Sequence, residues 1–128
     1  VPHVALTTGS IHSLPFPDSY FDFVFNEGVV THFPEDPLRQ SAINEMARVS
    51  KGYVAIVGSN GLNPKEQEED GNTSFTYEGM GPKRKSFTPD ELQSRMEKAG
   101  LKQVFINLLG QPKCQPEEAN LIVGWGRK

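Results

Sequence analysis

The chain lacks several features that mark common protein classes. Cys114 is its single cysteine, which excludes an internal disulfide, and with three histidines the chain offers poor evidence for a metal site. The formal net charge is −3, whereas nucleic-acid-binding proteins normally present a basic face. No apolar run approaches the roughly 20 residues that span a bilayer. We therefore expect no metal, no nucleic-acid partner, no membrane span and a reducing, cytoplasmic compartment.

The length of 128 residues bounds the domain organisation. A chain of this size forms one domain at most. No secretory signal pattern opens the sequence, and no internal repeat is visible. Its first residue is Val1 rather than Met, which favours a fragment of a longer protein.

Short apolar runs indicate five strands. Those from Phe21 to Phe25 and from Tyr53 to Val57 are apolar nearly throughout, which is typical of strands covered on both faces in a parallel sheet. The others are Val4 to Thr8, Val104 to Leu109 and Leu121 to Trp125. The last two have no helix between them and are predicted to pair antiparallel. Alternation with helices predicts an α/β layered sheet.

Two helices are predicted from their first residues and their apolar spacing. Asp36-Pro37 suits a helix start, and Gly52 is a candidate C-cap. Thr88 and Glu91 form a capping-box pattern, with Glu91 expected to reach back, and Gly100 is expected to end this second helix. The predicted buried stripes are Leu38, Ala42, Met46 and Val49 in the first helix, and Leu92, Met96 and Ala99 in the second.

The segment from Gly61 to Ser86 has no periodicity and is predicted to be a long lid or substrate loop. Its acidic run Glu66 to Asp70 is expected to be a solvated part of this loop. The alternative is that the acidic run gates the cleft. The basic run Lys83 to Lys85 is a weak candidate for contact with an anionic substrate. Phe75 and Tyr77 are open to two interpretations, as pocket-lining residues or as local loop packing.

The segment from Gly9 to Phe33 reads GSIHSLPFPDSYFDFVFNEGVVTHF. It resembles the middle of a class I S-adenosylmethionine (SAM)-dependent methyltransferase of the small-molecule (type 11) kind. Such proteins carry a Gly-Asp-small motif, then Leu-Pro-Phe, then a buried Phe-Asp-hydrophobic strand. The resemblance implies a partial Rossmann-like sheet, mostly parallel, with a C-terminal antiparallel strand pair. It also implies SAM as the cofactor.

The carboxyl ends of the strands are where ligands bind in an open α/β sheet. The first such segment contains Ser10 and Ile11. In the family, an Asp at the position of Ser10 accepts a hydrogen bond from the adenine amino group, and the amide of the next residue meets a ring nitrogen. Ser10 departs from this pattern, although a hydroxyl still accepts a hydrogen bond. A plain strand-ending turn is the alternative reading.

The second segment contains Asn26, Glu27 and Gly28. The resemblance implies that it contacts the methionine end of the cofactor, largely through its backbone, and Gly28 permits a close approach. A solvated loop acid is the alternative for Glu27. His32 is the candidate catalytic residue, because imidazole titrates near neutrality. A helix-entry histidine satisfied by the backbone is its alternative.

The sequence thus predicts the C-terminal portion of an enzyme that transfers a methyl group from SAM to a small-molecule acceptor. The alternative is a non-catalytic, methyltransferase-like binding or scaffold domain that has lost the cofactor. In the family, two further strands lie between the strand ending at Gly9 and that from Phe21 to Phe25. The chain alone is therefore expected to leave Phe21 to Phe25 with an unpaired edge, to bind SAM weakly, and to be marginally stable or oligomeric through that edge.

Overall fold

The computed structural model describes residues 3–70 and 84–128, and every structural statement below refers to these. They form one four-stranded sheet in the order β1-β2-β4-β3. The strands are β1 (Phe21–Glu27), β2 (Ser50–Ser59), β3 (Lys102–Leu109) and β4 (Leu121–Arg127). β1 and β2 are parallel, and the two pairings that involve β4 are antiparallel.

Three α-helices accompany the sheet: α1 (Asp36–Val49), α2 (Pro64–Glu69) and α3 (Pro89–Lys98). Short 3-10 turns lie at Val30–His32 and Pro116–Glu118. α1 and α3 pack on one face of the sheet and on each other. The core lies at this contact and includes the fully buried Ile43, Met46, Ile56, Leu92, Met96 and Ile122. The α/β class and the closing antiparallel pair are therefore confirmed.

The predicted strand from Val4 to Thr8 is wrong. These residues are exposed and have no regular structure, and Leu6 is 93% exposed. A strand requires a neighbour to receive its backbone hydrogen bonds, and no named strand pairs with this segment. β1 is consequently an edge strand of the described sheet, as expected for Phe21 to Phe25.

The first helix differs in detail from its prediction. Leu38 is 41% exposed, whereas the neighbouring Arg39 is completely buried. The helix ends at Val49 with Ser50 as its extended C-cap, so the prediction of Gly52 as the cap is wrong. Gly52 instead lies in β2, where a Cβ atom would be 2.2 Å from the carbonyl oxygen of Asp22. Close approach of two backbones explains the glycine.

The long loop also contains structure that periodicity did not reveal. Helix α2 begins after Asn63, whose side chain accepts a hydrogen bond from the Lys65 amide at 2.9 Å.

Thr88 caps α3 as predicted, accepting from the Glu91 amide at 3.2 Å. Glu91 does not complete the capping box, since its carboxylate pairs with Arg95. The end of α3 near Gly100 is confirmed, with a φ of +90° at this glycine.

An aromatic row covers the opposite face of the sheet. Phe25, Phe23, Trp125 and Phe105 stack in sequence across three strands, with successive ring centroids 5.6, 6.2 and 6.5 Å apart. We call these four residues the aromatic face. Phe25 is 65% exposed and Phe105 is 55% exposed. No helix in the described ranges is long and apolar enough to cross a membrane.

Candidate functional site

Asn26 is a buried polar residue near the carboxyl end of β1. Its side chain is turned toward α1, where its amide nitrogen lies 2.8 Å from the sulfur of Met46. Its carbonyl oxygen Oδ1 is buried and accepts no hydrogen bond within residues 3–70 and 84–128. An unsatisfied buried acceptor costs roughly 1–3 kcal/mol, so it calls for an explanation.

The backbone after Asn26 turns sharply away from the strand. Gly28 has a φ of +68°, the left-handed region that favours glycine. No heavy atom lies within 4 Å of the position where its Cβ would be, so the turn presents open backbone. The Gly28 amide donates to the carbonyl of Val57 at 3.0 Å, which holds this turn against β2. Glu27 is exposed, as either of its interpretations requires.

The segment before β1 folds into a tight turn at the same end of the strand. The Ser13 amide donates to the Ser10 carbonyl at 3.0 Å, and the Ser10 hydroxyl accepts from the His12 amide at 3.2 Å. Ser10 is exposed, whereas Ile11 is half-buried against the core. The Ser10 hydroxyl is therefore already used as an acceptor inside its own turn.

A cavity of about 330 Å³ lies between this turn, β1 and α1. Ile11 and Asn26, from the two predicted binding segments, both line it. The remaining lining residues are almost all apolar: Gly9, Leu14, Phe16, Phe21, Val24, Phe25, Met46 and Val49. The structure thus brings Ile11 and Asn26 together, while Ser10, Glu27 and Gly28 lie outside the lining.

Two charged residues of α1 hold the outer wall of this cavity. Arg48 donates to the carbonyls of Leu14 at 3.0 Å and Phe16 at 2.9 Å. Glu45 accepts from the Leu14 amide at 2.8 Å and pairs with Arg48 at 2.7 Å. Hydrogen bonding to Arg48 lowers the pKa of Glu45, so the pair is ionised at neutral pH. Sequence reasoning missed both residues, because their partners are backbone groups some 30 positions away.

His32 lies at the end of the 3-10 turn that follows Gly28. Burial lowers its pKa first, and the nearby positive charge of Arg84 lowers it further. A hydrogen bond with the Gly28 backbone opposes both effects. The imidazole is therefore neutral at pH 7, the form that accepts a proton. The backbone bond fits the structural alternative for His32, while its protonation state fits the catalytic one.

Phe33 links the two predicted segments. Its ring lies against the imidazole of His12, with centroids 4.7 Å apart in an edge-to-face arrangement. The turn that carries His32 is thereby packed beside the turn that carries Ile11. The candidate residues of both segments therefore occupy one end of the sheet.

The ends of the long loop are tied together beside this region. Asp70 accepts from the amide and hydroxyl of Ser86 at 2.8 and 2.6 Å, and Glu66 pairs with Arg84. The Lys85 amide donates to the Thr31 carbonyl at 2.7 Å, next to His32. Phe75, Tyr77 and Lys83 lie outside the described residues, so the structure describes only the two ends of the predicted lid.

Comparison with known proteins identifies the fold. Residues 1–56 match the model of a methyltransferase domain family. A curated relative, an uncharacterized methyltransferase from Schizosaccharomyces pombe, is 43% identical over 68 residues. This match covers 48% of the chain and 23% of the relative. The N-terminal part of the chain is thus similar to methyltransferases.

Solved methyltransferases share the architecture at low identity. A SAM-dependent methyltransferase from Thermotoga maritima, described as a possible histamine N-methyltransferase, superposes with a TM-score of 0.71 at 23% identity. The match covers 98% of this chain and 64% of that one. The 1,6-didemethyltoxoflavin-N1-methyltransferase from Burkholderia thailandensis, solved with S-adenosylhomocysteine, gives 0.63 at 17% identity, with 92% and 48% covered. These likenesses show the methyltransferase fold, and the chain spans less than two thirds of each relative.

Proposed function

We propose that the chain is the C-terminal portion of a single methyltransferase domain that transfers a methyl group from SAM to a small-molecule acceptor. The observation that carries this proposal is the meeting of Ile11 and Asn26 at one cavity beside the carboxyl end of β1. This is the end of an α/β sheet at which ligands bind. The bound S-adenosylhomocysteine of the Burkholderia thailandensis structure supports SAM as the cofactor.

The described residues fit part of a SAM site. Ile11 and Asn26 would lie against one part of the cofactor, and the open backbone at Gly28 leaves room for another. When bound, SAM supplies a methyl group activated by its sulfonium. The protein then has to align the acceptor and exclude water rather than provide a strong nucleophile.

His32 is the proposed base where the acceptor must lose a proton. Because the pKa of His32 is lowered, its imidazole is mostly neutral at pH 7. Its position in the turn directly after Gly28 places it beside the proposed cofactor segment. An acceptor without a proton to lose would leave His32 only an orienting role.

The aromatic face supports the proposal that the chain is part of a larger domain. α1 and α3 both pack on the opposite face, so four stacked aromatic residues are left uncovered by the described elements. Contiguous apolar surface of this kind marks a contact site. β1 also has a free edge, which supports the proposed weak SAM binding and self-association of residues 1–128 alone.

A non-catalytic scaffold is the second candidate. It is favoured by Ser10, which replaces the family's acid and whose hydroxyl accepts from His12 within its own turn. Calorimetric titration of the full-length gene product with SAM separates the candidates. Binding in the micromolar range supports the enzyme, and no binding at millimolar SAM would support the scaffold. The coding sequence upstream of Val1 is a second test, since a glycine-rich loop after a strand, followed by an acid about 20 residues on, supports the enzyme.

A further inference from the structure

We propose that Arg48 is a positioning residue for cofactor binding. It fixes the segment from Leu14 to Asp18 and, through this segment, the turn that contains Ile11. The assignment rests on the proposed function, in which Ile11 lies against the cofactor, and Arg48 itself does not touch the cofactor. The family resemblance assigns the adenine end of SAM to this turn, so the effect of Arg48 is expected at that end.

The first argument is that Arg48 spends its whole guanidinium on this segment and its anchor. It donates to the carbonyls of Leu14 at 3.0 Å and Phe16 at 2.9 Å, and to the carboxylate of Asp18 at 2.8 Å. Its two other hydrogen bonds go to the two carboxylate oxygens of Glu45, at 2.7 and 2.8 Å. An arginine side chain has five N–H donors in a rigid planar fork. All of them are used here, so three points of the segment are held in one geometry.

The second argument is that the segment has no regular structure of its own. Residues 14–20 belong to no helix or strand of the described chain, so they have no ladder of backbone hydrogen bonds to join. Pro15 and Pro17 lack backbone N–H groups and have a fixed φ, which stiffens the segment and removes two donors. The Leu14 amide donates to Glu45 at 2.8 Å. The last turn of α1 therefore takes the place of a neighbouring strand for this segment.

The third argument is the short stretch of chain that joins the segment to the turn. Leu14 is the third residue after Ile11, and three residues span at most about 11 Å. The turn between them is closed by the Ser13 amide, which donates to the Ser10 carbonyl at 3.0 Å. Because Leu14 is held at both its amide and its carbonyl, the position of the turn is restricted. A preorganised turn binds a ligand with a smaller loss of conformational freedom.

The test separates a misplaced turn from a loss of folded protein. Calorimetry on the full-length gene product would measure the Kd of S-adenosylhomocysteine and of its inosine analogue, which carries an oxygen in place of the adenine amino group. A variant that only lowers the fraction of competent protein weakens both ligands by the same factor. A variant that misplaces the turn weakens S-adenosylhomocysteine more than the analogue, because the contact with the adenine edge is lost.

The expected result is a loss of preference between the two ligands. Wild-type protein is expected to bind S-adenosylhomocysteine about tenfold more tightly than the analogue, the size of one neutral hydrogen bond. Arg48→Met is expected to weaken S-adenosylhomocysteine about tenfold and the analogue less than about threefold. Arg48→Lys keeps the charge without the planar fork and is expected to lose most of the same preference.

Arg95→Met is the matched control. Arg95 is a half-buried arginine of α3 that pairs with Glu91 at 2.8 Å and with Asp36 at the other end of α1. Its replacement removes the same charge and is expected to leave the ratio of the two Kd values within about twofold of wild type.

The outcomes distinguish failure of this assignment from failure of the proposed function. Equal weakening of both ligands by Arg48→Met, full preference in Arg48→Lys, or an equal loss of preference in Arg95→Met would each overturn the assignment alone. So would a wild-type protein that binds the two ligands equally well. Wild-type protein that binds neither ligand would overturn the proposed function and the assignment with it.

A second variant keeps the test decisive if Arg48→Met does not fold, which thermal unfolding without ligand verifies. Glu45→Gln retains an acceptor for the Leu14 amide and weakens the hold on Arg48. It is expected to reduce the preference for S-adenosylhomocysteine at least about twofold. An unchanged preference in a folded Glu45→Gln protein would contradict the assignment.

Discussion

The two faces of the sheet are built from the same strands, but helices cover one face and leave the other exposed. On one face, α1 and α3 bury Leu92 and Met96 against β4, and Gly124 allows the contact because a Cβ there would be 2.6 Å from the Met96 sulfur. On the other, Phe25 and Phe105 remain more than half exposed. The helix-covered face therefore supplies the stability of the described residues. The aromatic face contributes apolar area that gains its stabilising effect only when something covers it.

The largest expected effect comes from removing a buried side chain on the helix-covered face. Leu92→Ala removes a fully buried side chain at the contact with β4 and is expected to lower the free energy of unfolding by about 2–5 kcal/mol. Leu109→Ala is the matched control, because Leu109 is 45% exposed, and is expected to cost less than about 1 kcal/mol. Urea unfolding measures both. Equal losses would show that the two faces do not differ in this way.

A smaller effect is expected from Arg39, the polar member of the same interior. Its guanidinium lies 3.8 Å from the ring of Phe87, donates to the Lys85 carbonyl at 2.7 Å and pairs with Glu91 at 3.5 Å. Arg39→Met keeps much of the volume and removes these interactions, so the free energy of unfolding is expected to fall by about 1–3 kcal/mol. The Phe87 amide, which donates to β2, should also exchange faster with solvent.

Arg127→Met controls for the lost charge in that experiment. Arg127 is exposed, and its guanidinium reaches Gln103 at 3.3 Å on the sheet surface. Its replacement is expected to change stability by less than about 0.5 kcal/mol. If Arg39→Met behaves in the same way, the buried arginine does not hold the end of the long loop.

Arg39 and Leu38 also show what the sequence did and did not predict. The class of fold, four of the five strands and the Thr88 cap were predictable, because apolar runs, periodicity and capping are local signals. The spacing placed Leu38 in the core, yet the position beside it is buried. One nitrogen of the Arg39 guanidinium donates to the carbonyls of Lys85 and Ser86, and no local pattern reveals partners so distant in sequence.

The candidate site was predictable to a similar extent. Ile11 and Asn26 were expected at the carboxyl ends of strands, and one cavity contains both. The orphaned oxygen of Asn26 and the engaged hydroxyl of Ser10 depend on side-chain orientation, which spacing does not determine. The strand expected at Val4 to Thr8 failed because strand propensity counts only where a neighbour accepts the pairing.

The aromatic face is expected to respond to mutation in association rather than in stability. Phe25→Ser should change the free energy of unfolding of residues 1–128 by less than about 1 kcal/mol, since this side chain is already 65% exposed. It should reduce self-association, because it removes apolar surface next to the free edge of β1. Sedimentation velocity measures the second effect. A loss of stability as large as that from Leu92→Ala would place Phe25 in the core.

The smallest expected effect is a change of protonation at His32, which lies beside the helix-covered face. Thr31, the residue before His32, is buried. The Thr31 side chain lies 3.0 Å from the position that a Cβ atom at Gly58 would occupy. Burial and Arg84 both lower the pKa of His32, so NMR titration should place it below the usual value of about 6.5. Arg84→Gln removes the second cause and should raise this pKa toward that value. An unchanged pKa in Arg84→Gln would show that burial alone is responsible.

The sign of the accompanying stability change follows from proton binding. Between the lowered pKa of folded His32 and about 6.5, the unfolded chain binds more protons at this residue than the folded chain does. The contribution of His32 is therefore fully present above about pH 6.5 and is lost as the pH falls through the folded pKa. His32→Gln should remove this part of the pH dependence of unfolding, and Arg84→Gln should narrow the pH range over which it occurs. If His32→Gln leaves the pH dependence unchanged, the imidazole is not desolvated as the turn after Gly28 indicates, and its proposed role as a base at pH 7 loses its support.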